Sequence, residues 1–177
     1  MPIKLGSTGL GAIYQGSNKI ASIYKGSDLV YQSVSFDPNV VALLEKTITN
    51  VTADMIGNIT SIGKFAFYKC TYLKNIELPE GITTIDQTAF QYCSSLEHIT
   101  LPSTITSIGT GVFSNSENLK SMTILATTPP TLGLYSSIST ATETIYVPSS
   151  SVSAYETANQ WSSLLTADGY NLRFVGI

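Results

Sequence analysis

The middle of the chain repeats one 23-residue unit three times without a change of step. Apolar residues hold the same positions in every unit, and the polar residues between them vary. These positions are Ile59, Ile82 and Ile105; Ile62, Ile85 and Ile108; Phe67, Phe90 and Phe113; Leu73, Leu96 and Leu119; Ile76, Ile99 and Met122; and Leu78, Leu101 and Ile124. A fixed period of this length predicts a solenoid, because such a unit buries its apolar face only by stacking on its neighbours.

The predicted fold class is mainly β with short helices (α+β), and the solenoid spans residues 37–177. Residues 59–125 are its three regular repeats. Residues 37–58 form an N-terminal cap and a degenerate repeat, in which Asp37-Pro38 begins a helix and Val51 echoes Ile76. Residues 126–177 supply a strand at 143–148, a helix at 149–161 and a last strand at 172–177, which together close the C-terminal end.

Residues 1–36 carry a shorter repeat, in which Gly-Ser pairs recur every ten residues at positions 6, 16 and 26. Glycine and serine favour turns, and the runs between them are rich in β-formers. The pattern predicts a small antiparallel meander of about four strands, at residues 3–5, 10–14, 19–24 and 29–34. Such a meander is marginal alone. Its apolar and aromatic residues therefore predict an assembly interface, formed by Ile13, Tyr14, Ile23, Tyr24 and Tyr31.

Composition and charge exclude several classes of function. Only 12% of the residues are charged and the net charge is -3, which gives no basic stripe for nucleic acid. No apolar run reaches the ~20 residues of a membrane helix. The single histidine, His98, has no second ligand at metal-binding spacing, and no Gly-x-Ser-x-Gly elbow is present. We therefore expect neither an enzyme nor a cofactor, and no catalytic or metal-binding residue.

Cys70 and Cys93 occupy the same position of successive units, so we expect them ~5 Å apart on adjacent rungs. A disulfide between them is geometrically conceivable. The third unit carries Ser116 there, which indicates that the position needs a small side chain. Buried thiols are the favoured interpretation, because cysteine is among the most buried residue types.

Two groups of residues are candidates for contact with a partner. The first is Tyr68, Tyr72 and Tyr92, which fall between the recurring phenylalanine and the following strand. Their rings suit sugar or protein contacts, although the simpler interpretation is that they pack over the edge of the core. The second is an outward row on the strands, in which Asn75, Glu77 and His98 are followed by Thr100, Ser121 and Thr123. The simpler interpretation of His98 is a solvated strand residue.

The 23-residue unit, with its Ile-x-x-Ile-Gly, Ala-Phe, Cys and Leu-x-x-Ile-x-Leu-Pro spacing, resembles the BspA-type leucine-rich repeat. The tail from Val147-Pro148 through Tyr155 to Trp161 is similar to the way arrays of that family end. The resemblance covers about residues 45–177. It implies cell-surface adhesion and host interaction without chemistry.

Residues 1–32 resemble a short module that begins many phage and prophage tail and other virion proteins. The chain shows neither the export signal nor the anchor expected of a bacterial adhesin of this family, so we expect a virion location. The expected partners are other virion proteins, further copies of the chain in a symmetric oligomer, and a host-surface glycan or protein. The alternatives are a decoration subunit that binds no receptor and a bacterial surface adhesin.

The predicted boundary at residue 36 leads to a first test. A chain that begins at Ser35 is expected to express as a monomer and to unfold cooperatively on heating, because the solenoid has its own predicted cap at Asp37-Pro38. Circular dichroism and light scattering measure both properties. Aggregation of this shortened chain would mean that residues 1–34 belong to the cap.

Overall fold

A computed structural model of the chain describes residues 10–14, 20–25, 28–31, 49–56, 59–133, 138–167 and 171–177. Within these residues, parallel strands stack into a β-solenoid with two sheets. The inward side chains of both sheets join one apolar core. The solenoid predicted from the 23-residue period is therefore confirmed. It has about four turns, because the flanking segments add strands to the three regular repeats at both ends.

The larger sheet has six parallel strands. In chain order they are β4 (Asn50–Val51), β6 (Asn75–Glu77), β8 (His98–Leu101), β10 (Ser121–Ile124), β12 (Thr144–Val147) and β13 (Arg173–Gly176). Equivalent repeat positions pair directly, and Val51 lies opposite Ile76 as its echo in the sequence predicts. The buried row that results consists of Val51, Ile76, Ile99, Met122, Ile145 and Phe174.

The smaller sheet has four parallel strands of only two residues each. They are β5 (Ser61–Ile62), β7 (Thr84–Ile85), β9 (Ser107–Ile108) and β11 (Thr131–Leu132). The second residue of each strand points into the core, and the first is exposed or partly buried. The sequence predicts the buried isoleucines of this sheet but not its strands.

The N-terminal part contributes three further strands, β1 (Leu10–Tyr14), β2 (Ile20–Lys25) and β3 (Asp28–Tyr31), which pair antiparallel in that order. The predicted first strand at residues 3–5, the turns and the helix at Asp37-Pro38 lie outside the described residues. The four-stranded meander and the domain boundary therefore stay predictions. Helix α1 (Ala53–Ile56) follows β4, so the backbone becomes helical two residues after Val51.

The turn segments between the two sheets stack the recurring phenylalanines. The ring centroids of Phe67 and Phe90 are 4.8 Å apart, those of Phe90 and Phe113 are 5.6 Å apart, and both pairs are nearly parallel. Phe90 and Phe113 are fully buried, whereas Phe67 is only partly buried. Their shared repeat position predicts a buried column of rings, and this is confirmed except at Phe67, the first ring, which has a phenylalanine on one side alone.

Cys70 and Cys93 are both buried, and no disulfide joins them. The thiol of Cys93 donates a hydrogen bond to the backbone oxygen of Phe67, at 3.0 Å. Ser116, at the same position one unit later, donates its hydroxyl to the backbone oxygen of Phe90, at 2.8 Å. The position thus requires a small side chain that is also a hydrogen-bond donor, which explains why cysteine in two units is replaced by serine in the third.

The C-terminal cap contains the predicted strands β12 and β13, but its predicted single helix is divided. A 3-10 turn (Ser149–Ser151) leads into α2 (Val152–Thr157), and α3 (Asn159–Ser162) is followed by a second 3-10 turn (Ser163–Leu165). Ala158 separates the two helices because its backbone is extended, with ψ 124°. The break directs the next turn toward the end of the smaller sheet.

Side chains from this cap satisfy backbone groups that a further repeat would otherwise bond. The Gln160 amide accepts from the backbone N–H of Leu132 at 2.8 Å and donates to its carbonyl at 2.7 Å. Trp161 Nε1 donates to the Pro130 carbonyl at 2.7 Å, and the Tyr155 hydroxyl donates to the Ala126 carbonyl at 2.9 Å. Gln160 therefore takes the place of a fifth strand of the smaller sheet.

The stacked column makes Phe90 the residue whose truncation is most informative. Phe90→Ala is expected to lower the free energy of unfolding by ~3–5 kcal/mol, because it opens a cavity between two rings. Phe67→Ala is the matched control and is expected to cost less, since that ring is only partly buried. Urea denaturation measures both values. A loss below ~1 kcal/mol for Phe90→Ala would contradict the assignment of the core.

Candidate functional site

Three aromatic rings form a continuous partly exposed group on the turn segments of the first two regular units. Phe65 and Tyr68 meet edge to face with centroids 5.5 Å apart, and Tyr68 and Tyr92 do so at 5.7 Å. Lys64 Nζ lies 5.2 Å from the Phe65 ring centroid. Lys69 Nζ lies 5.3 Å from the Tyr68 centroid and 5.9 Å from the Tyr92 centroid. We call these five residues the aromatic ridge.

Two of the ridge aromatics sit on unfavourable backbone. Phe65 and Tyr92 both have φ of 62°, in the left-handed region that bulky residues rarely adopt. The same turn geometry recurs in every unit, with Thr88 and Gly111 equivalent to Phe65 and with Lys69 and Asn115 equivalent to Tyr92. The third unit thus uses glycine and asparagine, the residues that tolerate this conformation.

The two aromatic side chains on left-handed backbone are also partly exposed to solvent. The side chains of Phe65 and Tyr92 are 38% and 41% exposed, and neither belongs to the buried core. A left-handed conformation costs roughly 1–2 kcal/mol for a non-glycine residue. Because burial of these rings is incomplete, packing alone is a weak reason for an aromatic residue at either position. Strain of this kind is typical of functional positions.

The ridge lysines differ from the other lysines whose side chains the structure describes. Lys74 pairs with Glu97 on the next rung at 3.4 Å, and Lys120 pairs with Glu143 at 3.7 Å. These four residues hold one repeat position, so the sign of the charge alternates from rung to rung. Lys64 and Lys69, in contrast, lie over rings and make no ion pair with a described carboxylate.

The predicted tyrosine group is thus brought together only in part. Tyr68 and Tyr92 are in contact, while Tyr72 is 53% exposed and lies outside the ring contacts found within residues 59–133. The prediction missed Lys64, Phe65 and Lys69. Comparison of the units offers a signal for Phe65 and for Lys69, because Gly111 and Asn115 mark these repeat positions as left-handed.

The predicted strand row lies on the outward face of the larger sheet. Asn75, His98 and Ser121 pair in register, and Glu77 lies opposite Thr100. Asn75 also donates its amide to Asn50 Oδ1 at 2.8 Å. Among residues 59–133, no side-chain hydrogen bond, ion pair or ring contact links this row to the aromatic ridge. The two predicted candidates are therefore separate surfaces.

The prediction of a solvated His98 needs correction. The imidazole is half-buried, with Nδ1 2.8 Å from Ser121 Oγ and Nε2 3.2 Å from Thr123 Oγ1 and 3.4 Å from Thr100 Oγ1. Burial lowers the pKa of His98, and hydrogen bonding at Ser121 opposes that shift. Hydroxyl groups on the same and the next strand hold the ring against the sheet.

The described residues contain no group of three potential metal ligands. In the same part of the chain, no helix is both long and apolar enough to cross a bilayer. The predicted assembly residues Ile13, Tyr14, Ile23, Tyr24 and Tyr31 lie on β1, β2 and β3, and their side chains fall outside the description. Their assembly role stays a prediction.

Comparison with known proteins gives one family match, for a family described as "BspA type Leucine rich repeat region (6 copies)", over residues 42–166. No curated protein matches the chain. A similar solved structure is that of a leucine-rich cell surface protein from Faecalibacterium prausnitzii A2-165, at 20% identity and a TM-score of 0.33. The alignment covers 83% of this chain and 54% of that protein, so the chain spans about half of its length.

The lowered pKa of His98 predicts a pH dependence of stability. The unfolded chain binds the proton more tightly than the folded chain, so the free energy of unfolding is expected to fall as the pH drops below about 6.5. His98 is the only histidine, which isolates the effect between pH 7.5 and 5.5. His98→Gln should flatten the dependence, as measured by urea denaturation. An unchanged dependence in this variant would refute the assignment.

Proposed function

The chain belongs to the BspA-type leucine-rich repeat family, and we propose that it is a bacterial surface protein that contacts host-surface molecules through the aromatic ridge. The surface location is supported by the family, whose repeats are associated with cell-surface adhesion. The aromatic ridge is the surface that contacts the host molecule. No catalytic step is part of the proposal.

The observation that carries the proposal is the exposure of aromatic rings from strained backbone. Phe65 and Tyr92 place rings outside the core at two positions where the third unit has Gly111 and Asn115. Rigid aromatic side chains offer a large contact area at low entropy cost. The inter-rung hydrogen bonds fix the turn beneath them, since Lys69 N donates to the Gln91 carbonyl at 2.9 Å and Tyr92 N to the Ser114 carbonyl at 2.9 Å.

The virion location expected from the sequence has no such support. It rests on the resemblance of residues 1–32 to a phage module. Neither the described residues nor the comparisons add an observation in its favour. The bacterial surface is the better supported of the two locations, and an antibody against the chain separates them. Labelling of intact bacteria is expected, whereas labelling of purified phage particles alone would contradict the proposal.

The left-handed backbone at two ridge positions allows a variant that is expected to lose binding while its stability changes little. The double substitution Phe65→Gly and Tyr92→Asn copies the residues of the third unit. We expect it to abolish binding of the labelled protein to epithelial cells while the free energy of unfolding changes by no more than about 1 kcal/mol. The small change arises because relief of ~1–2 kcal/mol of strain per position offsets the loss of ring contacts worth ~0.5–1.5 kcal/mol each.

Thr88→Gly is the matched control, since Thr88 has the same left-handed backbone (φ 60°) but is not aromatic. This variant is expected to bind cells as the unmodified chain does. Flow cytometry measures binding, and urea denaturation measures stability. Full binding by the double variant would contradict the role of the ridge.

A further inference from the structure

We propose that the aromatic ridge recognises acidic saccharides, that is, oligosaccharides that carry carboxylate or sulfate groups. This inference rests on the contact role proposed above and specifies its ligand. Its chemistry follows from the juxtaposition of Lys64 and Lys69 with Phe65, Tyr68 and Tyr92.

The charge of the ridge opposes that of the chain as a whole. The net charge is -3, so the overall charge repels anions and does not attract them. The ridge nevertheless holds two ammonium groups that no described carboxylate neutralises, unlike those of Lys74 and Lys120. Contact with the ring faces keeps both ammonium groups beside the aromatic surface. An anion that reaches this surface gains charge-assisted hydrogen bonds without displacing an ion pair.

The rings define the part of the ligand that is not charged. A pyranose ring has an apolar face of C–H groups and a rim of hydroxyls, which matches the apolar body and polar tip of tyrosine. Within the described residues, the hydroxyls of Tyr68 and Tyr92 make no hydrogen bond with the protein. They are therefore available as donors and acceptors to sugar hydroxyls.

An extended acidic peptide fits the ridge less well. Peptides commonly bind by adding a strand to an open sheet edge. In the turns that carry the ridge, the backbone N–H groups of Phe67, Lys69 and Tyr92 already donate to the carbonyls of Ala89, Gln91 and Ser114 on the next rung. A peptide would have to bind through side chains alone, whereas a saccharide needs no backbone partner.

Isothermal titration calorimetry on the full chain tests the inference with four probes. They are a heparin hexasaccharide, a hexamer of galacturonic acid, neutral maltohexaose and a poly-glutamate peptide. We expect at least one acidic saccharide to bind at least ten-fold more tightly than maltohexaose and poly-glutamate. Galacturonate carries carboxylates alone and heparin carries both groups, so binding of heparin without binding of galacturonate indicates recognition of sulfate.

Lys69→Gln is expected to weaken binding of that saccharide about ten-fold, as the loss of one charge-assisted hydrogen bond implies. Lys74→Gln is the matched control, because it removes the same charge from an exposed lysine outside the ridge. It should change the affinity less than two-fold. Equal loss in both variants would mean that only net charge matters, and this would overturn the inference.

The failure of this inference differs from failure of the contact role. Equal binding of neutral and acidic saccharides, or binding of poly-glutamate alone, overturns the ligand class. If no probe binds but the Phe65→Gly, Tyr92→Asn variant still loses binding to cells, the ligand class is wrong and the contact role stands. If no probe binds and that variant binds cells normally, both proposals are wrong.

Discussion

Hydrogen bonds between the backbones of neighbouring rungs are the interaction on which the rest of the structure depends. They link the strands of both sheets, and they also link the turns, as where Phe67 N donates to the Ala89 carbonyl at 2.7 Å and Phe90 N to the Val112 carbonyl at 3.0 Å. Because buried backbone groups without partners are costly, each rung is stable only beside another. A side chain, that of Gln160, supplies the missing partners where the smaller sheet ends.

The parts of the fold that sequence predicts are those with a repeated signal. Six columns of apolar residues recur at a step of 23, and they predict the core and the phenylalanine column. The echo of the unit in residues 37–58 predicts the pairing of Val51 with Ile76. The strands of the smaller sheet escape prediction because two residues are too short to show alternation. The break at Ala158 also escapes it, since alanine favours helix and only the docking of Gln160 and Trp161 accounts for the extended backbone there.

The candidate site is less predictable, because its geometry comes from the turns and not from the apolar pattern. Tyr68 and Tyr92 are found by their position, but Phe65 and Tyr92 owe their exposure to left-handed backbone in turns that hydrogen-bond to the next rung. Lys69 joins the site only through its place over two rings. His98 shows the same limitation, since alternation predicts its direction whereas neighbouring hydroxyls determine its burial.

The alternation of Lys74, Glu97, Lys120 and Glu143 has a consequence for how such an array changes length. Removal of the single unit 82–104 would place Lys74 beside Lys120, each one residue before its strand, and like charges directly opposite each other are unfavourable. Removal of two units would restore a lysine next to a glutamate. The preference is small, since exposed ion pairs contribute ~0.2–1 kcal/mol each. It nevertheless means that duplication or loss of two repeats at a time is better tolerated than duplication or loss of one.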